Sequence, residues 1–588
     1  MKHKFTIWML LIGALLLGAF ILFFERDSET SRQQELRSRT VFSAYPDSIE
    51  QFLLERNGVQ IECTRSGGTW RMTRPVDAPV DSGIVEKMIA GMARVERGEL
   101  ISAETLQARG LTPADYGFDA PRAKITFKNN RGTFTWLIGR DAPLGDALYV
   151  KSNSSDDIIS APKTLLNLIP EDPAWIRDRV LFAGETPTVR GLDMTRPSGP
   201  IQLRLTEDSG WQIQQPVTGR ANLQAMHTFI DKILSGRVVQ FISDEKTDLA
   251  AYGLDKPDIE VTLFMQNEST QTVRVGKPLP DHPDQRYAKR IESDSVFTVP
   301  STWTDELEHP LDSLRSRTLT DLPVNRISAV HLTRGDRQIE LTKTNKAWQV
   351  VRPVRWPADP GRVNDLLNTL AGASIDTFID APTEEQSARM KSALWEAVLS
   401  SGEKSCTLKV SAPGTNDLRL AEYSGESSLY AIGAGTVRES FADPLFYRSP
   451  LVLEVDPAAI EQITVQSGET EETVRKSDTG SFVSEPSGGD VSAGALTDLM
   501  WALNDLKASR YVAFSPESLQ PYGLDTVTAK LSVTLEGTNA LGHVLLLGNP
   551  TDGGRFAMLQ GQDVIFVLPE KTVQTLTKKL TVEVTEPN

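Results

Sequence analysis

A tryptophan and a proline set five residues apart return along this chain at intervals the length of a domain. TWRMTRPV carries Trp70 and Pro75, WQIQQPV carries Trp211 and Pro216, and WQVVRPV carries Trp348 and Pro353, with tryptophan-to-tryptophan steps of 141 and 137 residues. A weaker fourth copy, SFVSEPS, puts Pro486 another 133 residues on, with Phe482 near the place of the tryptophan. Two other motifs keep the period. DYGFDAP, AAYGLDKP and PYGLDTV set Tyr116-Gly117, Tyr252-Gly253 and Tyr522-Gly523 at steps of 136 and 270 residues. One copy is therefore missing near residue 387, where the third unit has ALWEAVLSSGEKS instead. LRSRTVF, IRDRVLF and LRSRTLT carry Arg37/Arg39, Arg177/Arg179 and Arg315/Arg317, with FYRSPLV at 446–452 as a degenerate fourth. Solenoid repeats run to roughly 20–50 residues, so a period near 135 reads as whole domains in a row.

These motifs divide the chain into four units, at 36–175, 176–313, 314–445 and 446–588. Within a unit, alternating runs such as ISAVHLTR, QIELTK and AWQVVRPV predict three short strands joined by turns. The proline ends the third strand, because it cannot donate to a ladder. Apolar residues at three- and four-residue steps in SGIVEKMIAGMARV, NLQAMHTFIDKIL, DPGRVNDLLNTLAG and GALTDLMWALNDL predict a helix with one face on the sheet. More strands come after the Tyr-Gly turn. Each unit is expected to be α+β, mainly antiparallel, with helices laid on the sheet.

MKHKFTIWMLLIGALLLGAFILFFERD has a basic start and an uncharged apolar run from Phe5 to Phe24. Twenty residues at about 1.5 Å each reach roughly 30 Å, enough to cross a hydrocarbon core. With Lys2 and Lys4 in front, residues 1–4 are expected on the cytoplasmic side, 5–24 as a single-pass anchor and 25–35 as a linker. The remainder would then be extracytoplasmic. A cleaved signal peptide is the competing reading, disfavoured by the bulky Phe23-Phe24 where small residues suit a cleavage site. The charge of −16 should repel phosphate backbones, so no nucleic-acid partner is expected. Cys63 and Cys406 read as two separate semi-buried residues in equivalent-looking strands.

Little in the letters points to chemistry. None of the six histidines has metal-ligand spacing with another, no Gly-x-Ser-x-Gly elbow occurs, and no catalytic, metal or cofactor residue is assigned. IGAGTVR at 432–438 lacks the third glycine and the lysine of a nucleotide loop and reads as a hairpin turn. The Tyr-Gly-(Leu/Phe)-Asp motif reads as a structural turn, with glycine at positive φ and Asp255 capping nearby amides. The tryptophans read as core covers, with a sugar-binding role as the alternative. The arginine pairs have three readings: a clasp onto acids of the neighbouring domain, contact with a partner protein, or a solvated edge strand protected by charge.

Taken together, W-x-(I/V/M)-x-x-P-V, the amphipathic helix, YG(L/F)D, the later apolar-Gly turn (Ile138-Gly139, Val275-Gly276, Leu547-Gly548) and R-x-R-x-L resemble a bacterial family of membrane-anchored proteins, domain of unknown function 4340. The resemblance covers nearly everything beyond residue 36. Proteins that look like this are often encoded beside an ABC transporter and its gliding-motility-type auxiliary protein. It therefore implies a non-enzymatic accessory or scaffold subunit of a transport or envelope complex, with a lipid- or glycan-binding envelope module as the alternative. An apolar cavity would mark the binding module, and carboxylates gathered in one cleft would mark an envelope hydrolase.

Overall fold

A computed structural model describes residues 39–42, 48–143, 145–208, 210–414, 417–486, 489–537 and 542–582. The expected anchor at 5–24, the linker and Arg37 lie outside these residues. Among those described, no helix is long and apolar enough to cross a membrane. The chain divides into two compact units, residues 1–202 with 226–309, and residues 203–225 with 310–588.

In the first unit, repeat 1 builds β1 (Gln51–Arg56), β2 (Val59–Ser66), β3 (Thr69–Arg74) and β4 (Ala78–Pro79), then α1 (Ser82–Ala93), β5 (Leu100–Ile101), α2 (Ala103–Ala108), β6 (Ala123–Asn129), β7 (Gly132–Asp141), β8 (Ala147–Ser152) and β9 (Ile158–Pro162). They form one nine-stranded sheet in the order β4-β3-β2-β1-β6-β7-β8-β9-β5. The strand alternation seen in sequence is a burial alternation. Phe52, Leu54, Ile61, Cys63, Trp70, Met72, Ile125 and Phe127 point into one core. Val85, Met88, Ile89 and Met92 of α1 close it, at the spacing of one helical face. Asp81 starts that helix by accepting the Ile84 N–H at 3.0 Å. Between β3 and β4 the Arg74-Pro75 peptide is cis, as are Gln215-Pro216, Arg352-Pro353 and Glu485-Pro486 at the equivalent places. In the same unit, repeat 2 pairs Val189–Thr195 with Ile259–Met265, and continues through Thr270–Leu279, His282–Arg290 and Val296–Pro300 to Phe241–Ser243.

In the second unit, Gly210–Gln215 pairs with Gly219–Arg220. Repeat 3 repeats the nine-stranded order, and its helix Pro360–Ala371 buries Val363, Leu366, Leu367 and Leu370. Repeat 4 has eight strands in its main sheet, with Asp490–Val491 paired separately to Thr581–Val582. The architecture is thus α+β with antiparallel sheets.

The cores do not stop where the sequence motifs suggested. Ile176, which the division by motif placed in the second unit, packs in the core of repeat 1 and is fully buried. Tyr447 does the same for repeat 3, while in repeat 4 the corresponding place in the core is taken by Leu580, inside the expected bounds. Each of these residues follows the last strand of its repeat's main sheet.

The Tyr-Gly turn is a packing device. Gly117, Gly253 and Gly523 have φ of 83°, 69° and 65°, in the left-handed region. Opposite them, a Cβ on Gly139, Gly276 or Gly548 would lie 2.2, 2.2 or 2.1 Å from the tyrosine carbonyl oxygen, which explains the later apolar-Gly motif. Tyr116, Tyr252 and Tyr522 pack edge-on against Tyr149, Tyr287 and Phe556 at 4.8, 4.9 and 5.2 Å. The carboxylates that hold the turn are Asp115 and Asp248, upstream of the tyrosine, in place of the expected Asp255. In repeat 3 a helix, Glu384–Lys391, takes the turn's place, and ALWEAVLSSGEKS supplies the next strand, Trp395–Ser401. Register places Ser411 where Gly276 stands, and its hydroxyl accepts the Leu420 N–H at 3.0 Å.

Two smaller expectations change. Cys63 lies in the second strand of its repeat and Cys406 in Lys404–Val410, a later one, so their strands are not equivalent; both thiols are free and buried. IGAGTVR is no hairpin turn: Gly433 ends a strand and Ala434–Thr436 begins a run of 3-10 turns.

Candidate functional site: the arginine joints

The Arg-x-Arg segments sit where one repeat hands over to the next, and the backbone makes the connection. In the first unit the Asp81 N–H donates to the Ile176 carbonyl at 2.9 Å and the Asp178 N–H to Pro79 at 3.1 Å, with Val80 bridged to Arg177. In the second, Asn222 donates to Leu314 at 2.8 Å and Ser316 to Arg220 at 2.9 Å, with Ala221 bridged to Arg315. Further along, Asp359 donates to Tyr447 at 2.7 Å and Ser449 to Pro357 at 2.9 Å, with Ala358 bridged to Arg448. The residue before the first arginine (Ile176, Leu314, Tyr447) is buried each time.

The arginine side chains turn the other way, into their own repeat. Arg177, 5% exposed, donates to Asp244 at 2.9 Å and to Ser295 Oγ at 3.0 Å, while Ser295 donates to Asp244 at 2.7 Å. Its guanidinium lies 3.5 Å from the Phe241 ring centre. Arg315, 2% exposed, repeats the set with Asp380 at 2.8 Å, Ser428 at 2.6 Å and Phe378 at 3.9 Å. Burial pushes the Arg177 guanidinium below its ordinary value, and Asp244 opposes that shift. Residues two apart do share a side: Arg179 and Arg317 flank the same rings at 6.0 and 5.2 Å and donate to Val239 and Ile375 carbonyls. In repeat 4 the degenerate Arg448 lies 4.9 Å from Tyr511 and 5.1 Å from Trp356. The Arg39 carbonyl accepts the Arg97 N–H at 2.8 Å, as Arg179 and Arg317 accept from Val238 and Ile375.

The expected clasp onto a neighbouring domain's acid is therefore corrected for Arg177 and Arg315, since Asp244 and Asp380 lie downstream of them in the same repeat. A buried side-chain clasp that does cross a joint is one the motifs did not reveal. Arg220, before the helix of repeat 2, meets Glu426 of repeat 3 at 2.7 Å, both at most 6% exposed. It stacks 3.9 Å from Tyr423 and donates to the Thr318 carbonyl at 3.1 Å. Register puts Pro79 and Pro357 at the place of Arg220, so no repeated letter marks it.

At the joint of repeats 1 and 2 a cavity of about 710 Å³ opens instead, bordered by Arg71, Asp77, Arg290, Glu292 and Asp294. Two of its carboxylates are already held, Asp77 by Arg71 at 2.5 Å and Asp244 by Arg177. Among the described residues no group of three or more His, Cys, Asp or Glu is placed to hold a metal ion. A concavity of about 940 Å³ in repeat 2 has Ala183 and Met265 as its apolar side chains, among short polar ones such as Thr188, Ser269 and Thr270. Trp70, Trp211 and Trp348 are 3–5% exposed, which leaves no ring face for a sugar.

No curated protein matches the sequence. The family model described as domain of unknown function 4340 matches four times, over residues 70–216, 211–393, 348–482 and 482–582. The windows begin at Trp70, Trp211, Trp348 and Phe482, so Phe482 takes the tryptophan's place in repeat 4. Each of the first three windows runs past the joint that closes its repeat, and the last stops at Val582, beside the buried Leu580. With matches spanning residues 70–582, the chain belongs to the domain of unknown function 4340 family, as four tandem copies.

Proposed function

We propose that this chain is a non-enzymatic, membrane-anchored, extracytoplasmic scaffold, an accessory subunit of an ABC-type transport or cell-envelope complex. Residues 5–24 serve as its anchor at the bacterial inner membrane. One observation supports the reading above others: the recurring side chains are spent on holding repeats together. Tryptophans fill cores, tyrosines close turns, and the first arginine of each described pair is locked to an acid, a serine and an aromatic ring of its own repeat. Such a chain keeps its repeated chemistry inside.

The test is purification of the full chain from its native membrane in a gentle detergent, with mass spectrometry of the proteins and lipids that accompany it. Transporter subunits in fixed stoichiometry support the scaffold. A lone protein carrying one defined lipid or glycan overturns it in favour of a binding module.

A further inference from the structure

Each repeat presents the same backbone socket to the segment after it, the N–H of the helix N-cap residue and the short strand before it. Repeats 1, 3 and 4 add an opening in the core as well. Four buried residues fill the four sockets. Ile176, Leu314 and Tyr447 come from the next repeat's Arg-x-Arg segment, and their carbonyls receive Asp81, Asn222 and Asp359. In repeat 4 the Ser492 N–H donates to Leu580 at 2.8 Å, and Val491 pairs with Thr581. Leu580 is fully buried, like its three counterparts. The segment Leu580–Val582 thus sits as an Arg-x-Arg lead-in sits elsewhere, with Thr581 at the register of Arg177, Arg315 and Arg448.

We propose that the socket of repeat 4 is an exchangeable docking site for the lead-in segment of a second copy of this chain, residues 36–39, and that Leu580–Val582 is the plug that yields to it. Three observations carry this. Leu36-Arg37-Ser38-Arg39 has the letters of Leu314-Arg315-Ser316-Arg317, a segment that does fill a socket, and the four sockets among the described residues are taken by other residues. The plug of repeat 4 is held differently from the others. Arg177 and Arg315 are each pinned by an acid, a serine and a ring, whereas Leu580 N–H and Thr581 Oγ1 are held by one carboxylate, Glu472, at 2.6 and 3.1 Å. Val582 beyond them is 54% exposed. Third, the face of repeat 1 that a partner would meet carries exposed apolar surface: by register Leu100 stands where Phe241 and Phe378 stand, and it is 52% exposed. A head-to-tail contact of this kind is heterologous and extends the array from copy to copy. It does not depend on the transporter partner proposed above.

The experiment mixes two full-length copies, one carrying Arg37→Cys and the other Val491→Cys, under mild oxidation. The native Cys63 and Cys406 are buried and do not compete. A disulfide-linked pair is expected, absent when Thr479→Cys replaces Val491→Cys and absent when Val491→Cys is locked within its chain by Thr581→Cys. Leu580→Ala should raise the yield about tenfold or more, since truncating a buried leucine weakens its seat strongly. Glu472→Gln, which loosens the plug without touching the core, should raise it several-fold and covers the case in which Leu580→Ala unfolds repeat 4. No linked pair in the parent or the Glu472→Gln background, with the internal lock closing normally, overturns the proposal.

Discussion

The joint between repeats 1 and 2 and the joint between repeats 2 and 3 share a backbone, and three of the positions at which they differ decide which side chains meet there. Register equates Pro79 with Arg220, Ser293 with Glu426 and Arg290 with Tyr423. With the second set, a guanidinium and a carboxylate meet out of water, against an aromatic ring. With the first, Arg290 turns to the Val180 and Leu181 carbonyls and a cavity of about 710 Å³ is left. The same hydrogen-bonded frame is therefore sealed in one place and open in the other. The backbone sets the joint, and three positions set how dry it is. A buried pair of this kind adds little net stability over an apolar one, but losing one partner is expensive because the other charge stays buried.

The largest break should come from Glu426→Ala. It leaves Arg220, at 6% exposure, with only the more distant Asp321 carboxylate at 3.9 Å, and should cost about 3 kcal/mol in urea unfolding of the second compact unit. A loss under about 1 kcal/mol would mean water reaches Arg220 freely. Asp380→Ala comes next, leaving Arg315 with Asp312 at 3.3 Å, Ser428 and Phe378 and costing about 1.5–3 kcal/mol. Asp244→Ala should cost less, because Arg177 borders an open cavity that water can enter. Equal losses at the two sites would erase the distinction between sealed and open joints.

Arg220→Pro with Glu426→Ser rewrites the sealed joint toward the letters of the open one. Removing both charges should cost only about 1 kcal/mol, less than Glu426→Ala alone. Amide exchange at Asn222 and Ser316 should nevertheless quicken about tenfold, because solvent then reaches the two backbone bonds of the joint. Unchanged exchange would show that the backbone alone seals it.

The smallest effect lies in the thiols. Burial pushes Cys63 up to about 12, with Glu62 adding to the rise. Burial also raises Cys406, but hydrogen bonds from Thr320 and Tyr423 oppose it. A raised acid favours the folded state while the thiol is protonated. That stability is complete below the unfolded thiol's value of 9.0 and is lost as pH climbs toward about 12. Alkylation between those values should therefore reach Cys406 before Cys63. The reverse order would place Cys63 nearer solvent.

Much of the architecture is legible in the letters. Strand alternation, the three- and four-residue helical step and glycines at positive φ are local properties, and the period of near-identical fragments exposes four copies. The pairing of Gly117 with Gly139, of Gly253 with Gly276 and of Gly523 with Gly548 leaves a trace because close approach tolerates no Cβ. The aromatic partners of the arginines leave none, since Phe241, Phe378 and Tyr511 lie far downstream and in repeat 1 the place is filled by Leu100. Ile176 falls on the wrong side of the motif boundary for a related reason: adjacency in sequence to Arg177 says nothing about which core receives its side chain.

By itself the sequence determined what is periodic and local: four copies, their strands and helices, the turns that need glycine, and an apolar segment long enough for a membrane. Tertiary structure alone decided which residues meet across a joint. Arg220 and Glu426 are 206 positions apart and belong to no repeated motif, so only the folded register brings them together. The same holds for Leu580, an ordinary leucine in the letters, which becomes the plug of a socket because a backbone amide and an opening in the core of repeat 4 are placed to receive it.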